Sequence, residues 1–195
     1  MFVGLKNAAQ AFQRLMDTVC RGLDFVFVYL DNILIASFNH SQHVKHLNLL
    51  FQRLRDHGLV VNPAKCIFGV KEIDFLGHHV TEQGATPLPN KVDAIRNFIK
   101  PLTRRGLQEF VGMVNFYHCF IPHAAKIMQP LYQALSGKAQ NLITWTDIMF
   151  EAFNSTKSAL AQAILLAHSH SNAPTVLTVD ASDKAIGSFR TRDRW

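Results

Sequence analysis

Apolar positions near the start of the chain recur every three or four residues, which is the spacing of one face of a helix. The repeat begins after Asn7, a residue type that favours helix N-caps, and it ends at Gly22, a residue type that favours helix C-termini. We therefore predict an amphipathic helix between these two positions. Its apolar positions are Phe12, Leu15, Met16 and Val19.

The next apolar run consists of β-branched and aromatic residues. Residues 25–30 are apolar on both alternating faces, so they predict a strand that is buried on both sides, and residues 33–36 predict its antiparallel partner. Asp31 and Asn32 alone stand between the two runs, and both tolerate the left-handed backbone angles of a tight turn. The sequence predicts a β-hairpin with a carboxylate at its tip, although these two residues are also common in turns without any function.

A second amphipathic helix is predicted from its cap at Ser41 to Gly58. Short strands are predicted to follow, interrupted at Asn62–Pro63 and at Gly69, and residues 72–77 predict a further strand that leads into a turn. The apolar stripe of the second helix is formed by Val44, Leu47, Phe51 and Leu54.

Helical patterns dominate from about Pro87 onward. The apolar positions of the predicted helices are Val92, Ile95 and Phe98; Leu107, Phe110, Val111 and Val114; Ile127, Met128, Leu131 and Leu135; and Phe153 and Leu160. An extended run at residues 175–179 then predicts a strand that ends at Asp180. These elements together predict an α+β fold with boundaries near Pro87 and Ala173.

Composition limits the class of protein. The chain has 195 residues, of which 48% are hydrophobic and 17% are charged, so it can bury a core without disulfides, and disorder, collagen and coiled coil are excluded. Its longest apolar stretch is far shorter than the ~18 residues of a membrane span, so we expect no membrane partner. The three cysteines form no C-x-x-C pair and the N-terminus does not resemble a secretory signal, so we expect an intracellular setting. The formal net charge of +6 suits a polyanionic partner such as nucleic acid.

Histidines and cysteines, which can bind metal ions, lie close together in two groups along the chain. His40, His43 and His46 recur every third residue, but neither this group nor the one near residue 120 matches a standard zinc spacing. We expect these histidines to be exposed and the three cysteines to be small core residues. The second group consists of His118, Cys119 and His123.

Several motifs in a fixed order along the chain resemble those of one family. They are Gly4 to Ala8 with Phe12 to Asp17, Tyr29 to Asn32, Asn62 to Cys66, Phe75 to His78, Leu107 to Tyr117 with Phe120 to Pro122, and Thr178 to Ser182. Together they resemble the reverse transcriptase of gypsy-type LTR retrotransposons, from the start of the chain to about Gly187. Several ordered motifs are far more specific than any one of them.

The resemblance implies a partial palm at residues 1–86, a helical thumb and connection at residues 87–172, and the truncated start of a ribonuclease H-like domain at residues 173–195. It implies an RNA or DNA primer–template duplex as partner and magnesium as cofactor, with Asp31 and Asp180 as ligands. The implied nucleotide-side residues are Gly4, Leu5, Lys6 and Asn7, and the implied primer-end turn is Phe75, Leu76, Gly77 and His78. Phosphate contacts are implied for Lys91, Arg96, Lys100, Arg104 and Arg105, for which the alternative is a solvated helix face.

Departures from the family pattern bear on activity. The family motif Tyr-x-Asp-Asp reads here Tyr29-Leu30-Asp31-Asn32, so a neutral amide replaces one carboxylate beside the expected metals. A net loss of only ~3 kcal/mol would slow the reaction about a hundredfold. By the resemblance, a further essential aspartate belongs to a strand upstream of this segment, and Asp180 is a lone carboxylate. We therefore expect neither polymerase nor ribonuclease H activity from this chain.

Three functions stay open on the sequence alone. The first is a reverse transcriptase whose palm and fingers are completed by a separate upstream half or a protein partner. The second is a non-catalytic module that keeps the primer grip, thumb and connection as a nucleic-acid- or protein-binding surface. The third is a remnant without function, whose mark would be exposed apolar surface and aggregation.

Overall fold

The structure, a computed structural model, describes residues 6–136, 141–163, 165–168, 175–181 and 186–192. The chain divides into two compact units, Met1–Lys71 and Glu72–Trp195. This division precedes the boundary expected near Pro87, and the three regions implied by the family resemblance stay a prediction.

Unit 1 is a β-hairpin covered on one face by two helices. The elements are α1 (Ala8–Val19), β1 (Val26–Tyr29), β2 (Asn32–Ile35), α2 (His40–Asp56) and a 3₁₀ turn at Pro63–Lys65. The core is formed by Met16, Val19, Leu23, Leu50 and Leu54, against which Val26, Val28, Ile33 and Ile35 of the hairpin pack. The two predicted helices and the hairpin are confirmed.

The expectation that β1 is buried on both faces is wrong. Val26 and Val28 face the helices, whereas Phe27 and Tyr29 are 56% and 52% exposed. Successive side chains of a strand point to opposite faces, and in unit 1 the helices cover one of these faces. An apolar run therefore marked a strand correctly but did not reveal which face is covered.

The start of α2 and the segment after it also differ from the prediction. Asn39, not Ser41, caps the helix, because its side chain accepts a hydrogen bond from the Gln42 backbone N–H at 2.9 Å. After Gly58 the chain forms the 3₁₀ turn at Pro63–Lys65 instead of short strands. The Asn62 side chain accepts from the Ala64 N–H at 3.1 Å, which gives the backbone a local alternative to strand pairing.

The described part of unit 2 contains a three-stranded antiparallel sheet, four helices and a separate two-stranded hairpin near its end. The elements are β3 (Ile73–Phe75), β4 (His78–Val80), β5 (Ala85–Pro87), α3 (Pro89–Arg96), α4 (Arg104–Phe116), α5 (Ala124–Leu135), α6 (Asp147–Ala161), β6 (Thr175–Ala181) and β7 (Ile186–Arg192), with a 3₁₀ turn at His118–Phe120. All four helices and the strands β3 and β6 were predicted. The strands β4, β5 and β7 were not, because β4 and β5 are only three residues long and β5 ends in proline, and β7 carries charged residues.

The core of unit 2 lies between its helices. Leu107, Phe110 and Val114 of α4 are fully buried, and the Phe110 ring packs at 4.5 Å from that of Phe153 in α6. A hydrogen bond between two loops lies beside this core, since the Trp145 indole N–H donates to the Pro101 carbonyl at 2.7 Å. The helical stripes therefore identified the core positions of unit 2 correctly.

Within the described residues, none of the helices combines the length and the apolar character that a membrane crossing requires.

Candidate functional site

The hairpin turn of unit 1 differs by one residue from the prediction. Asn32 is the first residue of β2 and pairs with Tyr29, so the two-residue loop consists of Leu30 and Asp31. Leu30 has a φ of 52°, in the left-handed region that a branched side chain seldom adopts. The expected pair Asp31–Asn32 was wrong as a turn, because Leu30 takes the left-handed position for which Asn seemed better suited.

The Asp31 side chain is exposed at the tip of this loop. Its Oδ1 accepts a hydrogen bond from the Asn32 side-chain amide at 3.3 Å. The tip therefore presents one carboxylate with a neutral neighbour, as the sequence indicated.

The residues at this tip do not complete a divalent-metal site. Across the part of the chain that the structure describes, no three His, Cys, Asp or Glu side chains converge as metal ligands would. Magnesium binds through several oxygen ligands, of which Asp31 supplies one carboxylate. The chain's own described residues thus do not fit the implied metal by themselves.

The implied nucleotide-side residues precede α1. Gly4 and Leu5 lie outside the described residues, and Lys6 and Asn7 are exposed. Asn7 occupies the N-cap position of α1, as predicted, but its side chain makes no capping hydrogen bond there. These two positions are therefore accessible, and their role stays a prediction.

The implied primer-end turn forms the tight hairpin between β3 and β4. Phe75 pairs with His78, and the loop residues Leu76 and Gly77 have φ values of 47° and 81°, so both lie in the left-handed region. Positive φ at both central residues is the type I′ geometry that suits a two-residue hairpin. The sequence FLGH thus encodes a rigid turn.

Aromatic residues from the end of α4 support this turn. The Tyr117 hydroxyl donates to the Gly77 carbonyl at 3.1 Å. The His78 ring lies 5.3 Å from that of Phe116 and 5.5 Å from those of Tyr117 and Phe120. Burial raises the pKa of the Tyr117 hydroxyl above its ordinary value. The sequence alone did not predict these contacts, because the turn and the aromatic residues lie about forty positions apart and no local pattern links them.

A histidine next to the turn is paired with acidic residues. The His79 Nδ1 lies 2.8 Å from an Asp74 carboxylate oxygen, and its Nε2 lies 3.7 Å from Glu72. Asp74 is the cross-strand partner of His79 in the β3–β4 ladder. The hydrogen bond to Asp74 raises the pKa of His79 above its ordinary value.

The basic residues implied as phosphate contacts fall into two groups. Lys91, Arg96 and Arg105 are exposed on α3 and α4 and stay available. Arg104 is half-buried and donates to the Leu135 carbonyl at the end of α5, where it caps the helix, and its predicted phosphate contact stays a prediction. Lys100 is exposed, and its ammonium lies 5.8 Å and 5.3 Å from the ring centres of Trp145 and Phe150.

The histidines of α2 are less exposed than expected. His43 and His46 are half-buried, and their Nδ1 atoms lie 3.2 Å and 2.8 Å from the Ser37 hydroxyl. The His46 ring also stacks on Phe25 at 3.6 Å. His40 is exposed, as predicted. The repeat of three had suggested a solvated face, but the turn before α2 folds Ser37 back onto it.

The cysteines match their prediction only in part. Cys20 and Cys66 are half-buried, whereas Cys119 is exposed on the 3₁₀ turn after α4. Burial raises the pKa of the Cys20 thiol, which keeps it protonated.

Asp180 lies in β6, opposite Gly187 of β7. Its side chain lies outside the described residues, so its implied role as a metal ligand stays a prediction.

Comparisons with known proteins show two family-model matches, both related to reverse transcriptase. Residues 1–80 match the family model described as reverse transcriptase (RNA-dependent DNA polymerase), and residues 145–193 match the ribonuclease H-like domain found in reverse transcriptase. The Tf2-7 and Tf2-3 transposon polyproteins of Schizosaccharomyces pombe are each 33% identical over 187 residues, or 95% of this chain. This chain spans 14% of the length of each polyprotein.

Solved structures agree with the sequence relatives. The foamy viral protease-reverse transcriptase in complex with an RNA/DNA hybrid is 28% identical, with a TM-score of 0.77 over 97% of this chain and 26% of that chain. The same protein in complex with dsDNA has a TM-score of 0.76, over 97% of this chain and 40% of that chain. The expected α+β fold of a partial reverse transcriptase is confirmed.

The ribonuclease H-like match is wider than the sequence suggested. It begins at residue 145, within the segment assigned to the connection, and it ends at residue 193, beyond Gly187 where the resemblance was expected to end. Residues 186–192, which lie within this match, pair with β6 as an antiparallel strand.

Proposed function

We propose that this chain, a segment homologous to the reverse transcriptase and ribonuclease H-like regions of retrotransposon polyproteins, binds a primer–template duplex of RNA or DNA as part of a gypsy-type element. The observation that carries the proposal is the similarity, over 97% of the chain, to a viral reverse transcriptase held in complex with an RNA/DNA hybrid. An intracellular location belongs to the same proposal, and its support is the set of three free cysteines.

The turn at Leu76–Gly77 is the element proposed to position the primer end. Its backbone is fixed by two left-handed residues and by the Tyr117 hydroxyl, so it can hold a strand without first becoming ordered. Lys91, Arg96 and Arg105 are exposed on the helices that follow, where they can neutralise phosphates of the duplex. The basic net charge of +6 acts in the same direction.

We propose that polymerisation by this chain is slow or absent. Magnesium ions in such enzymes activate the attacking hydroxyl and stabilise the leaving group, and several carboxylates hold them. The tip of the β1–β2 hairpin supplies Asp31 and the amide of Asn32, which do not fit that role by themselves. A protein partner that adds further carboxylates beside Asp31 is part of the proposal.

The binding proposal is tested with a fluorescently labelled primer–template hybrid and the purified chain. We expect the logarithm of the affinity, measured by anisotropy, to fall linearly with the logarithm of salt concentration. Lys91→Gln and Arg105→Gln should each weaken binding and reduce the salt slope by about one unit. Lys126→Gln on α5, also exposed, is the matched control and should leave the slope unchanged. A salt-independent interaction, or equal effects of all three substitutions, would contradict the proposed contacts.

A second candidate is a non-catalytic binding module, which the neutral amide of Asn32 favours. The two candidates differ in their response to Asn32→Asp. If the chain retains the rest of a polymerase site, magnesium-dependent primer extension should appear or rise in this variant and disappear in Asp31→Ala. If extension is undetectable in both while hybrid binding persists, the chain alone is a binding module, and only the addition of a protein partner that restores extension would favour the polymerase. A functionless remnant would show neither binding nor a cooperative unfolding transition.

A further inference from the structure

One side chain of α1 reaches across to the hairpin that carries Asp31. The carboxamide of Gln13 accepts a hydrogen bond from the Leu30 backbone N–H at 2.6 Å through Oε1. Its Nε2 donates to the Val28 carbonyl at 3.2 Å and to the Asp17 carboxylate at 2.8 Å. Gln13 is half-buried, so these bonds are partly shielded from water.

The three partners fix the orientation of the amide group. The Val28 carbonyl and the Asp17 carboxylate can only accept, so both must face the NH₂ group, and the Leu30 N–H can only donate, so it must face the oxygen. The opposite orientation would lose all three bonds. Asp17, one helical turn after Gln13, thus holds the amide in the orientation that the hairpin needs.

The Gln13 side chain forms hydrogen bonds with the edge of β1 that faces away from β2. The Ala36 N–H donates to the Phe25 carbonyl at 3.0 Å, and hydrogen-bonded pairs alternate along an antiparallel ladder. By this alternation Val28 and Ile33 form a non-hydrogen-bonded pair, so the polar groups of Val28 point away from β2. One amide that gives a donor to Val28 and an acceptor to Leu30 satisfies this edge of β1 as a peptide group would.

The bond to Leu30 acts on the residue with the strained backbone. A φ of 52° is unfavourable for leucine, and such a conformation persists only where its surroundings hold it in place. The hydrogen bond from Leu30 to Gln13 fixes the peptide group next to Asp31. The position of the carboxylate at the tip therefore depends on α1 as well as on the turn itself.

We propose that Gln13 is a positioning residue for Asp31, because its carboxamide clamps Val28 and Leu30 and holds the loop in its left-handed conformation. The proposal rests on the proposed function only where it concerns what the Asp31 carboxylate does. The geometry of the loop can be tested without any activity.

The test compares Gln13→Met with Gln10→Met in the isotopically labelled chain. Gln10 is exposed on the same helix, so the second variant controls for the loss of a glutamine from α1. We expect the Leu30 amide to exchange with solvent about tenfold faster in Gln13→Met, because the bond to the Leu30 N–H and the bond to the Val28 carbonyl of β1 are both lost. The Leu30 three-bond coupling between the amide and α protons should also move away from its left-handed value. An unchanged coupling and exchange rate, or equal acceleration of every amide in unit 1, would overturn the proposal.

Gln13→Glu gives a second test if Gln13→Met does not fold. The ionised carboxylate can still accept from Leu30, but it cannot donate to Val28 and it repels Asp17. Protonation restores one donor, so the Leu30 protection relative to the unsubstituted chain should recover as the pH falls. A ratio that does not depend on pH would contradict a specific clamp.

The two proposals can fail separately. If the unsubstituted chain does not bind the primer–template hybrid, the proposed function is wrong, while Leu30 protection still decides the role of Gln13. If binding occurs but Leu30 is equally protected in both methionine variants, the clamp is wrong and the proposed function stands.

Discussion

The contact between Gly77 and Tyr117 gives a prediction whose sign follows from the geometry. A Cβ atom added at Gly77 would lie 2.8 Å from the Tyr117 hydroxyl oxygen, and its next neighbour would be Phe116 at 3.4 Å. The hydroxyl therefore has to move, and it cannot keep its 3.1 Å bond to the Gly77 carbonyl. Gly77→Ala thus breaks the same hydrogen bond that Tyr117→Phe deletes.

The magnitudes follow from two costs. An alanine held at a φ of 81° loses about 1–2 kcal/mol against glycine. The hydrogen bond contributes roughly 0.5–1 kcal/mol, at the lower end of the usual range, because the Gly77 carbonyl keeps the Leu88 N–H at 3.1 Å as a second partner. Tyr117→Phe should therefore destabilise by about 0.5–1 kcal/mol and Gly77→Ala by about 1.5–3 kcal/mol, which includes the same bond.

The double variant should cost less than the sum of the two single ones. Because the bond can be lost only once and the clashing hydroxyl is gone, we expect a shortfall of about 0.5–1.5 kcal/mol. Urea unfolding followed by circular dichroism measures the three free energies of unfolding. Gly112→Ala combined with Tyr117→Phe is the control cycle, since a Cβ at Gly112 meets nothing within 4 Å and the effects should add. Additive costs in the Gly77 cycle would mean that the two substitutions do not act on the same hydrogen bond.

Three further changes test other contacts. Gly84→Ala should destabilise unit 2 by roughly 3 kcal/mol in urea unfolding, because the Cβ would lie 2.1 Å from the Leu166 carbonyl oxygen at a φ of 152°; an effect below 1 kcal/mol would contradict this. Gly112→Ala, in an exposed helix interior, should instead stabilise by about 0.5–1 kcal/mol in the same assay. Because the pKa of His79 is raised, protonated His79 stabilises the fold at pH values below its ordinary pKa of 6.5, and this stabilisation is lost as the pH rises through the raised pKa. Asp74→Asn should therefore destabilise the fold only at acidic pH. An NMR titration in which Asp74→Asn leaves the His79 pKa unchanged would contradict that origin.

The elements that the sequence predicted are those whose signal is local. Apolar stripes such as Leu107, Phe110 and Val114 point to one side of a helix, so they marked both α4 and the core of unit 2. The hairpin at Asp31 followed in the same way from two short apolar runs around polar residues. Periodicity within a dozen residues was sufficient for these features.

The features that were missed depend on distant partners. Nothing near Phe27 shows that the helices cover only the other face of β1, and nothing near Ser37 shows that it bonds two histidines of α2. The turn lies one residue before the predicted position, because Gln13, 17 residues before Leu30 in the sequence, holds Leu30 in the left-handed region. The local signal for this contact is the pair Gln13 and Asp17, polar residues one turn apart on a helix, but the pair alone does not show that Gln13 bonds the hairpin.

Competition between two duplexes measures whether this chain binds a primer–template at the primer end. A labelled hybrid with a recessed primer end is bound to the chain at moderate salt and is displaced either by the same hybrid without label or by a blunt duplex of equal length and charge. We expect the recessed hybrid to compete better, and Gly77→Ala to reduce this preference, because the turn at Leu76–Gly77 holds a primer end. Equal competition by the blunt duplex would mean that the turn does not hold a primer end, and an absence of binding to either duplex would mean that the chain does not bind a primer–template.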